Sequence, residues 1–277
     1  LLIVTNGFKG TWSAVEYGAA RAAALRMKTT LLGVTEELNP AAIDDHHPLE
    51  DIFAQAVELF QQSGVDYHLD VRNGVAERII PEVATSRNYI PAVSSLGRPQ
   101  IRRMLTGRSI HALMEQVRTP ILYVPEVRLP VKKILITVGG LGYEESAENI
   151  AVQVAGAYQA EVTILYVIPP TDLDYPTTRG VQAHVKDLAN TDTLPGRSLR
   201  KALEIAQGAG LNARTTARQG IIVEEILAEI EEGDYDLVCM GSAYSAHTLR
   251  QYYAPNITAE VAESARCPLL TARHKSA

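Results

Sequence analysis

The chain has 277 residues, which is enough for two small domains that each bury a core of their own. Its formal net charge of −6 excludes a general nucleic-acid-binding protein, because the domains of such proteins are usually basic. The apolar stretches are too short to cross a membrane, and the first residues lack the pattern of a signal peptide. We therefore expect a cytoplasmic protein with no membrane and no nucleic-acid partner.

The first 127 residues predict five strands that alternate with helices. Short apolar runs indicate strands covered on both faces, and amphipathic stretches indicate helices, with Ser13 as the cap of the first and Gly64 as the stop of the second. The predicted strands are "LLIVT" (1–5), "TTLLGV" (29–34), "VDYHLDV" (65–71), "YIPAVSS" (89–95) and "PILYV" (120–124). This alternation predicts an α/β domain with a parallel sheet and helices on both faces.

The second half of the chain repeats the first. The matching segments, in the same order, are "LLIVTNG" with "ILITVGG", "TLLGV" with "TILYV", "RNG" with "RQG", and "RTPIL" with "RCPLL". Self-similarity of this kind indicates one domain written twice. We therefore predict two tandem five-stranded α/β domains, residues 1–127 and 128–277. A longer polar insertion after the second strand of domain 2 predicts a loop with a short helix.

The segment "SSLGRPQIRRMLTGRS" (94–109) follows the fourth predicted strand. Ligands of open parallel sheets bind beyond the carboxyl ends of strands, where the strand order reverses. Gly97 and Gly107 are separated by nine residues, and Gly107 lies just before the helix that starts near Ser109. Backbone N–H groups at a helix start, with a glycine that allows close approach, favour phosphate. The alternative is that the arginines of this segment form a solvated surface.

These patterns resemble the universal stress protein family in a tandem two-domain form, over essentially the whole chain. The resemblance implies a Rossmann-like fold of the adenine nucleotide alpha hydrolase type. Nucleotide-binding members of that family carry Gly-2x-Gly-9x-Gly followed by Ser or Thr after the fourth strand. They also carry an Asp at the end of the first strand and contact adenine with the backbone at the end of the second.

The resemblance implies a nucleotide site in domain 1 with an adenosine end and a phosphate end. The adenosine end comprises Thr5, Asn6 (in place of the family's Asp) and Val34. The phosphate end comprises Ser94 (in place of the first glycine), Gly97, Gly107, Arg108 (in place of the hydroxyl residue) and Ser109. Arg108 either holds phosphate as a cation or fills the phosphate space itself.

Domain 2 departs further from the family pattern. Gly241 and Ser242 fit the first glycine, but Tyr244 stands in place of the second, and Gly139 replaces the Asp. A tyrosine obstructs the backbone where it must approach phosphate. We therefore predict that the site of domain 2 is degenerate and that any nucleotide binds in domain 1.

Other candidate chemistry is weaker. The segment "IDDHHPLE" (43–50) places its acidic and histidine residues side by side, so they cannot converge on one ion, and we predict no metal site. Neither His111 nor His247 sits in a sequence motif with an evident nucleophile or carboxylate, and we predict no catalytic residue. Cys239 and Cys267 have no metal-ligand spacing and predict reduced, buried thiols.

The sequence therefore predicts a stress-response protein that binds ATP or another adenine nucleotide in domain 1, as a sensor or regulatory module. The alternative is a nucleotide-free interaction scaffold built from two paired domains, and slow nucleotide hydrolysis stays open as a third interpretation. The fifth strand of this topology is a sheet edge, and "PILYV" (120–124) and "PLLTA" (268–272) carry no charge to protect it. We expect the two fifth strands to pair within the chain about a pseudo-two-fold axis. A homodimer is also open.

Overall fold

The computed structural model describes residues 1–35, 48–96, 109–139, 145–170, 185–242 and 257–273. These residues form two compact units, Leu1–Val127 and Arg128–Ala277. None of the helices in the described parts of the chain is long and apolar enough to cross a membrane.

In the described residues of unit 1, five strands alternate with four helices. Its elements are β1 (Leu2–Thr5), α1 (Trp12–Leu25), β2 (Thr29–Thr35), α2 (Pro48–Gln62), β3 (Tyr67–Asn73), α3 (Ala76–Ser86), β4 (Pro91–Val93), α4 (Ser109–Gln116) and β5 (Ile121–Tyr123). Strand β1 is buried along its whole length, as its unbroken apolar run predicts. The α/β fold with a parallel sheet is confirmed.

Unit 2 has the same alternation. Its elements are β6 (Lys133–Val138), α5 (Glu145–Tyr158), β7 (Glu161–Ile168), a 3-10 helix (Val185–Asn190), α6 (Leu194–Gly208), β8 (Ala213–Gln219), α7 (Ile222–Gly233), β9 (Leu237–Ser242), α8 (Ile257–Ser264) and β10 (Leu269–Arg273). Cys239 and Cys267 are buried thiols, as expected. Burial raises the pKa of the Cys267 thiol, whose sulfur lies 3.0 Å from the Tyr235 carbonyl oxygen.

The strand order of unit 1 is β3-β2-β1-β4-β5, and that of unit 2 is β8-β7-β6-β9-β10. In unit 1 the chain moves outward from β1 to β3 and then returns across β1 to β4. Right-handed crossovers therefore place α1 and α2 on one face of the sheet and α3 and α4 on the other. The order reverses between β1 and β4, which is the point where open α/β sheets hold their ligands.

Two local predictions differ from the structure. Helix α1 begins at Trp12, after a 3-10 turn at Lys9–Thr11, so Ser13 is not its cap. The reason is that the hydroxyl of Thr11 donates to the Phe8 carbonyl at 2.6 Å and closes the turn two residues earlier. Strand β4 ends at Val93, because the hydroxyl of Ser94 already turns to a main-chain carbonyl outside the sheet.

Candidate functional site

A chain of hydroxyl groups fixes the end of β1. The Thr11 hydroxyl donates to Phe8, so in the 2.6 Å contact between Thr5 and Thr11 the donor is Thr5. The Thr5 oxygen in turn accepts the N–H of Gly7 at 3.3 Å. Thr5 and Thr11 are fully buried, so this chain satisfies their polar atoms where water does not reach.

Asn6, the next residue, joins the ends of β1 and β4. Its side-chain nitrogen donates to the main-chain carbonyl of Leu96 at 3.0 Å. Its side-chain oxygen accepts the N–H of Phe8 at 3.4 Å, which is the local turn geometry that Asn favours. The amide therefore uses a donor and an acceptor at once, which a carboxylate cannot do.

A second link crosses the same point of the sheet. The Ser94 hydroxyl, which is buried, donates to the Gly10 carbonyl at 2.9 Å. A Cβ atom on Gly10 would lie 3.3 Å from the Ser95 carbonyl oxygen, so the two segments approach closely. The segments that follow β1 and β4 are therefore held together by side-chain to main-chain hydrogen bonds.

The end of β2 offers a main-chain acceptor. Backbone groups alternate in direction along a strand. Because Thr30 N–H donates to Leu1 on the β1 side, the backbone groups of Val34 also face the β1 side. The pairing between β1 and β2 ends at Thr5 and Gly33. Gly7 would supply the next N–H toward Val34, but this N–H donates to the side-chain oxygen of Thr5. The carbonyl of Val34 therefore lies at the open end of the ladder.

Comparison with known proteins decides the family. The model of the universal stress protein family matches residues 130–273. The chain belongs to the universal stress protein family. A curated family member from Methanocaldococcus jannaschii is 24% identical over 142 residues, which cover 51% of this chain and 82% of the relative.

Solved structures of the family share the fold over the full chain. A universal stress protein from Archaeoglobus fulgidus has a TM-score of 0.69 at 16% identity and covers 99% of this chain and 96% of its own. A putative universal stress protein from Pseudomonas aeruginosa has a TM-score of 0.66 at 14% identity, with coverage of 98% and 92%. At this identity the likeness shows the fold alone.

Four of the predicted site residues lie at or just after the carboxyl ends of β1, β2 and β4: Thr5, Asn6, Val34 and Ser94. Gly97, Gly107 and Arg108 lie outside the described residues, and Ser109 is described only as the first residue of α4. In unit 2, Gly139 follows β6 and Gly241 lies in β9, at the corresponding edge, while Tyr244 and His247 lie outside the described residues.

The remaining candidates are the acidic and histidine residues of segment 43–47 and His111. The acidic and histidine residues of segment 43–47 lie outside the described residues, and no group of potential metal ligands occurs within the ranges that are described. His111 lies half-buried on α4.

Sequence reasoning missed Gly7, Gly10 and Thr11, which shape the loop after β1. Gly7 has a φ of +84°, and a Cβ atom there would lie 3.0 Å from the Leu49 nitrogen, so both conformation and space require glycine. The signal was present in the run "NGFKGT", where two glycines and a threonine directly follow a buried strand.

Proposed function

We propose that this universal stress protein binds an adenine nucleotide in unit 1, and that it acts as a sensor or regulatory module in the stress response. The observation that carries the proposal is the reversal of strand order between β1 and β4. Thr5 and Asn6 end one of these strands, and Ser94 follows the other, so the predicted site residues flank the point where such sheets bind ligands.

The adenosine end of the proposed site lies at β1 and β2. The Val34 carbonyl accepts a hydrogen bond from the adenine amino group, in keeping with the main-chain contact that the family resemblance implies. The loop after β1 packs closely, because a Cβ atom at Gly7 would lie 3.0 Å from the Leu49 nitrogen and one at Gly10 would lie 3.3 Å from the Ser95 carbonyl oxygen. Thr5 stabilises this loop, because its side-chain oxygen accepts a hydrogen bond from the N–H of Gly7.

The phosphate end lies at the start of α4. The glycines Gly97 and Gly107 let the backbone approach phosphate, and the first N–H groups of a helix that begins at Ser109 attract an anion. Arg108 adds a guanidinium, which binds phosphate oxygens in a two-pronged geometry. These roles come from the sequence resemblance and from the position of α4.

Titration calorimetry with ATP tests the proposal. We expect the parent chain to bind ATP and Gly107→Val to lose binding, because a β-branched side chain suits neither the backbone nor the close contact. Gly156→Val is the matched control, since a Cβ atom at Gly156 in α5 meets open space. Equal ATP affinity of Gly107→Val and the parent would contradict the assignment to unit 1.

A nucleotide-free scaffold is the second candidate, and a specific observation favours it. Asn6 and Ser94, two residues that depart from the family pattern, both donate to main-chain carbonyls at the candidate site. Strand β5 also ends the sheet of unit 1 with the uncharged sequence Ile-Leu-Tyr. In this account, the fifth strands of the two units pair, as an intramolecular counterpart of a dimer, and present a surface to a partner.

A further inference from the structure

A cavity lies in unit 1, away from the reversal point. It has a volume of about 320 Å³ and is lined by residues of β2, β3 and α3 and of the segment that follows α3. Its polar lining includes Thr30, Asp70, Arg72, Glu82, Arg87 and Tyr89. This volume lies at the lower end of the range of small-molecule sites.

Hydrogen bonds organise the polar groups of this cavity. The hydroxyls of Thr30 and Tyr89 lie 2.9 Å apart. Bonds from Thr30 and from the Arg87 guanidinium lower the pKa of the Tyr89 hydroxyl. The Nε of Arg72 donates to both carboxylate oxygens of Asp70, at 3.1 and 3.2 Å. Two guanidinium groups therefore line one small space.

In unit 2, side chains of the chain itself occupy the corresponding position in the fold. Thr163 and Arg218 occupy the positions of Thr30 and Arg72, and Tyr235, like Tyr89, directly follows the left-handed residue after the preceding helix. The register agrees, because Thr30 pairs with His68 and Thr163 pairs with Arg214, four residues before Arg72 and Arg218 respectively. The glycine that follows the third strand of each unit also makes the same main-chain hydrogen bond. The N–H of Gly74 donates to the Thr35 carbonyl, and the N–H of Gly220 donates to the Ile168 carbonyl.

In unit 2, three carboxylates from α7 surround the arginine. Arg218 donates to Glu225 at 2.8 Å, to Glu229 at 3.1 Å and to Glu232 at 2.9 and 3.2 Å. The Tyr235 hydroxyl donates to Glu229 at 2.8 Å. The arginine, tyrosine and carboxylates thus form one cluster that the chain supplies entirely from its own side chains.

In unit 1, helix α3 has no carboxylate at these three positions, although its Glu82 lines the cavity. Ile79, Val83 and Ser86 stand at the positions of the three glutamates, and Arg87 stands at the position of Gly233. Arg72 keeps Asp70 as a partner, and its side chain is 59% exposed, against 22% for Arg218. Unit 1 therefore lacks carboxylates at these three positions and has a cavity that is lined by two guanidinium groups, Arg72 and Arg87, together with the carboxylates Asp70 and Glu82.

We propose that the cavity of unit 1 binds a small organic carboxylate, whose carboxylate group takes the place that glutamate side chains of α7 occupy beside Arg218. Arg72 and Arg87 hold the carboxylate oxygens through paired N–H donors. The Tyr89 hydroxyl donates a further hydrogen bond, as Tyr235 does to Glu229. The site is independent of the nucleotide site, because it uses a different part of the fold.

Calorimetric titration of the full chain with succinate tests the proposal. We expect succinate to bind the parent and to bind Arg72→Gln at least about tenfold more weakly, because a charged hydrogen-bond pair is lost. Arg197→Gln is the matched control and keeps the parent affinity, since Arg197 pairs with Asp192 on the surface of unit 2. Gly107→Val also keeps the parent affinity, which separates this site from the nucleotide site.

A variant that places carboxylate side chains in the cavity gives a second test. Val83→Glu with Ser86→Glu places on α3 two of the carboxylates that α7 carries, so we expect it to abolish succinate binding and to raise the thermal midpoint. Circular dichroism confirms that each variant is folded. The proposal is overturned if the parent does not bind succinate, if Arg72→Gln binds it as the parent does, or if inorganic phosphate binds equally well.

Discussion

The side-chain amide of Asn6 donates to the main-chain carbonyl of Leu96 at 3.0 Å and so ties the end of β1 to the segment that follows β4. The family resemblance implies an aspartate at this position in nucleotide-binding members. Asparagine therefore has a different hydrogen-bonding capacity at this position. A carboxylate only accepts hydrogen bonds, whereas the amide accepts through its oxygen and donates through its nitrogen.

Asn6→Asp tests this link. At neutral pH the carboxylate faces the Leu96 carbonyl without a proton to donate, so we expect the free energy of unfolding to fall by about 1–3 kcal/mol. A protonated carboxyl group can donate, so the difference from the parent should shrink near about pH 4. Urea unfolding of both proteins at the two pH values measures it. An unchanged stability at neutral pH would show that the link contributes nothing.

Gly7→Ala tests the loop after β1. We expect a loss of more than about 1 kcal/mol, because the left-handed backbone at Gly7 strains any other residue and a Cβ atom meets the Leu49 nitrogen at 3.0 Å. Gly156→Ala, in a helix and facing open space, should instead stabilise by about 0.5–1 kcal/mol. Thermal unfolding of the two variants compares them, and similar effects would contradict the role assigned to Gly7.

Arg108 has two opposed roles that substitution separates. If Arg108 holds phosphate, Arg108→Ala weakens ATP binding by about 1.5–3 kcal/mol and leaves adenosine binding unchanged. If Arg108 fills the phosphate space itself, Arg108→Ser strengthens ATP binding. Calorimetry with ATP and adenosine distinguishes these outcomes, and unchanged affinity in both variants would assign Arg108 to the surface.

The cluster around Arg218 predicts a pH dependence. Hydrogen bonds from Arg218 hold the pKa of the Glu232 carboxyl below its usual value. A carboxyl whose pKa is lower in the folded state stabilises the protein above its unfolded pKa, and this contribution is lost as the pH falls through the folded value. Arg218→Gln should therefore flatten the fall of the thermal midpoint between about pH 5 and pH 3. The surface control Arg197→Gln should leave that slope unchanged.

The proposed pairing of the fifth strands is tested at Leu122, a buried residue of β5. If the strands pair as proposed, Leu122→Lys weakens this association more than it weakens either unit, because a charge on a pairing edge opposes association. Hydrogen exchange over 121–123 and 269–273, compared with exchange over β1 and β6, measures this. Equal loss of protection in all four strands would instead indicate general unfolding.

The fold was predictable because its strands are short apolar runs that the sheet buries, as β1 and β2 show. The details of the site were not, because they depend on partners that are remote in the chain. Asn6 and Leu96 are separated by 90 positions, and no periodicity indicates that an amide at one meets a carbonyl at the other. Ser13 and Thr11 are both plausible caps, and only the bond from Thr11 to Phe8 decides where α1 begins.

The most direct measurement is a crystal structure of the full chain grown with ATP. We expect density for an adenine nucleotide beyond the carboxyl ends of β1, β2 and β4, with the base beside Val34 and the phosphates at the start of α4. Density that lies only in unit 2, or a unit 1 edge that stays free of nucleotide at saturating ATP, would contradict it.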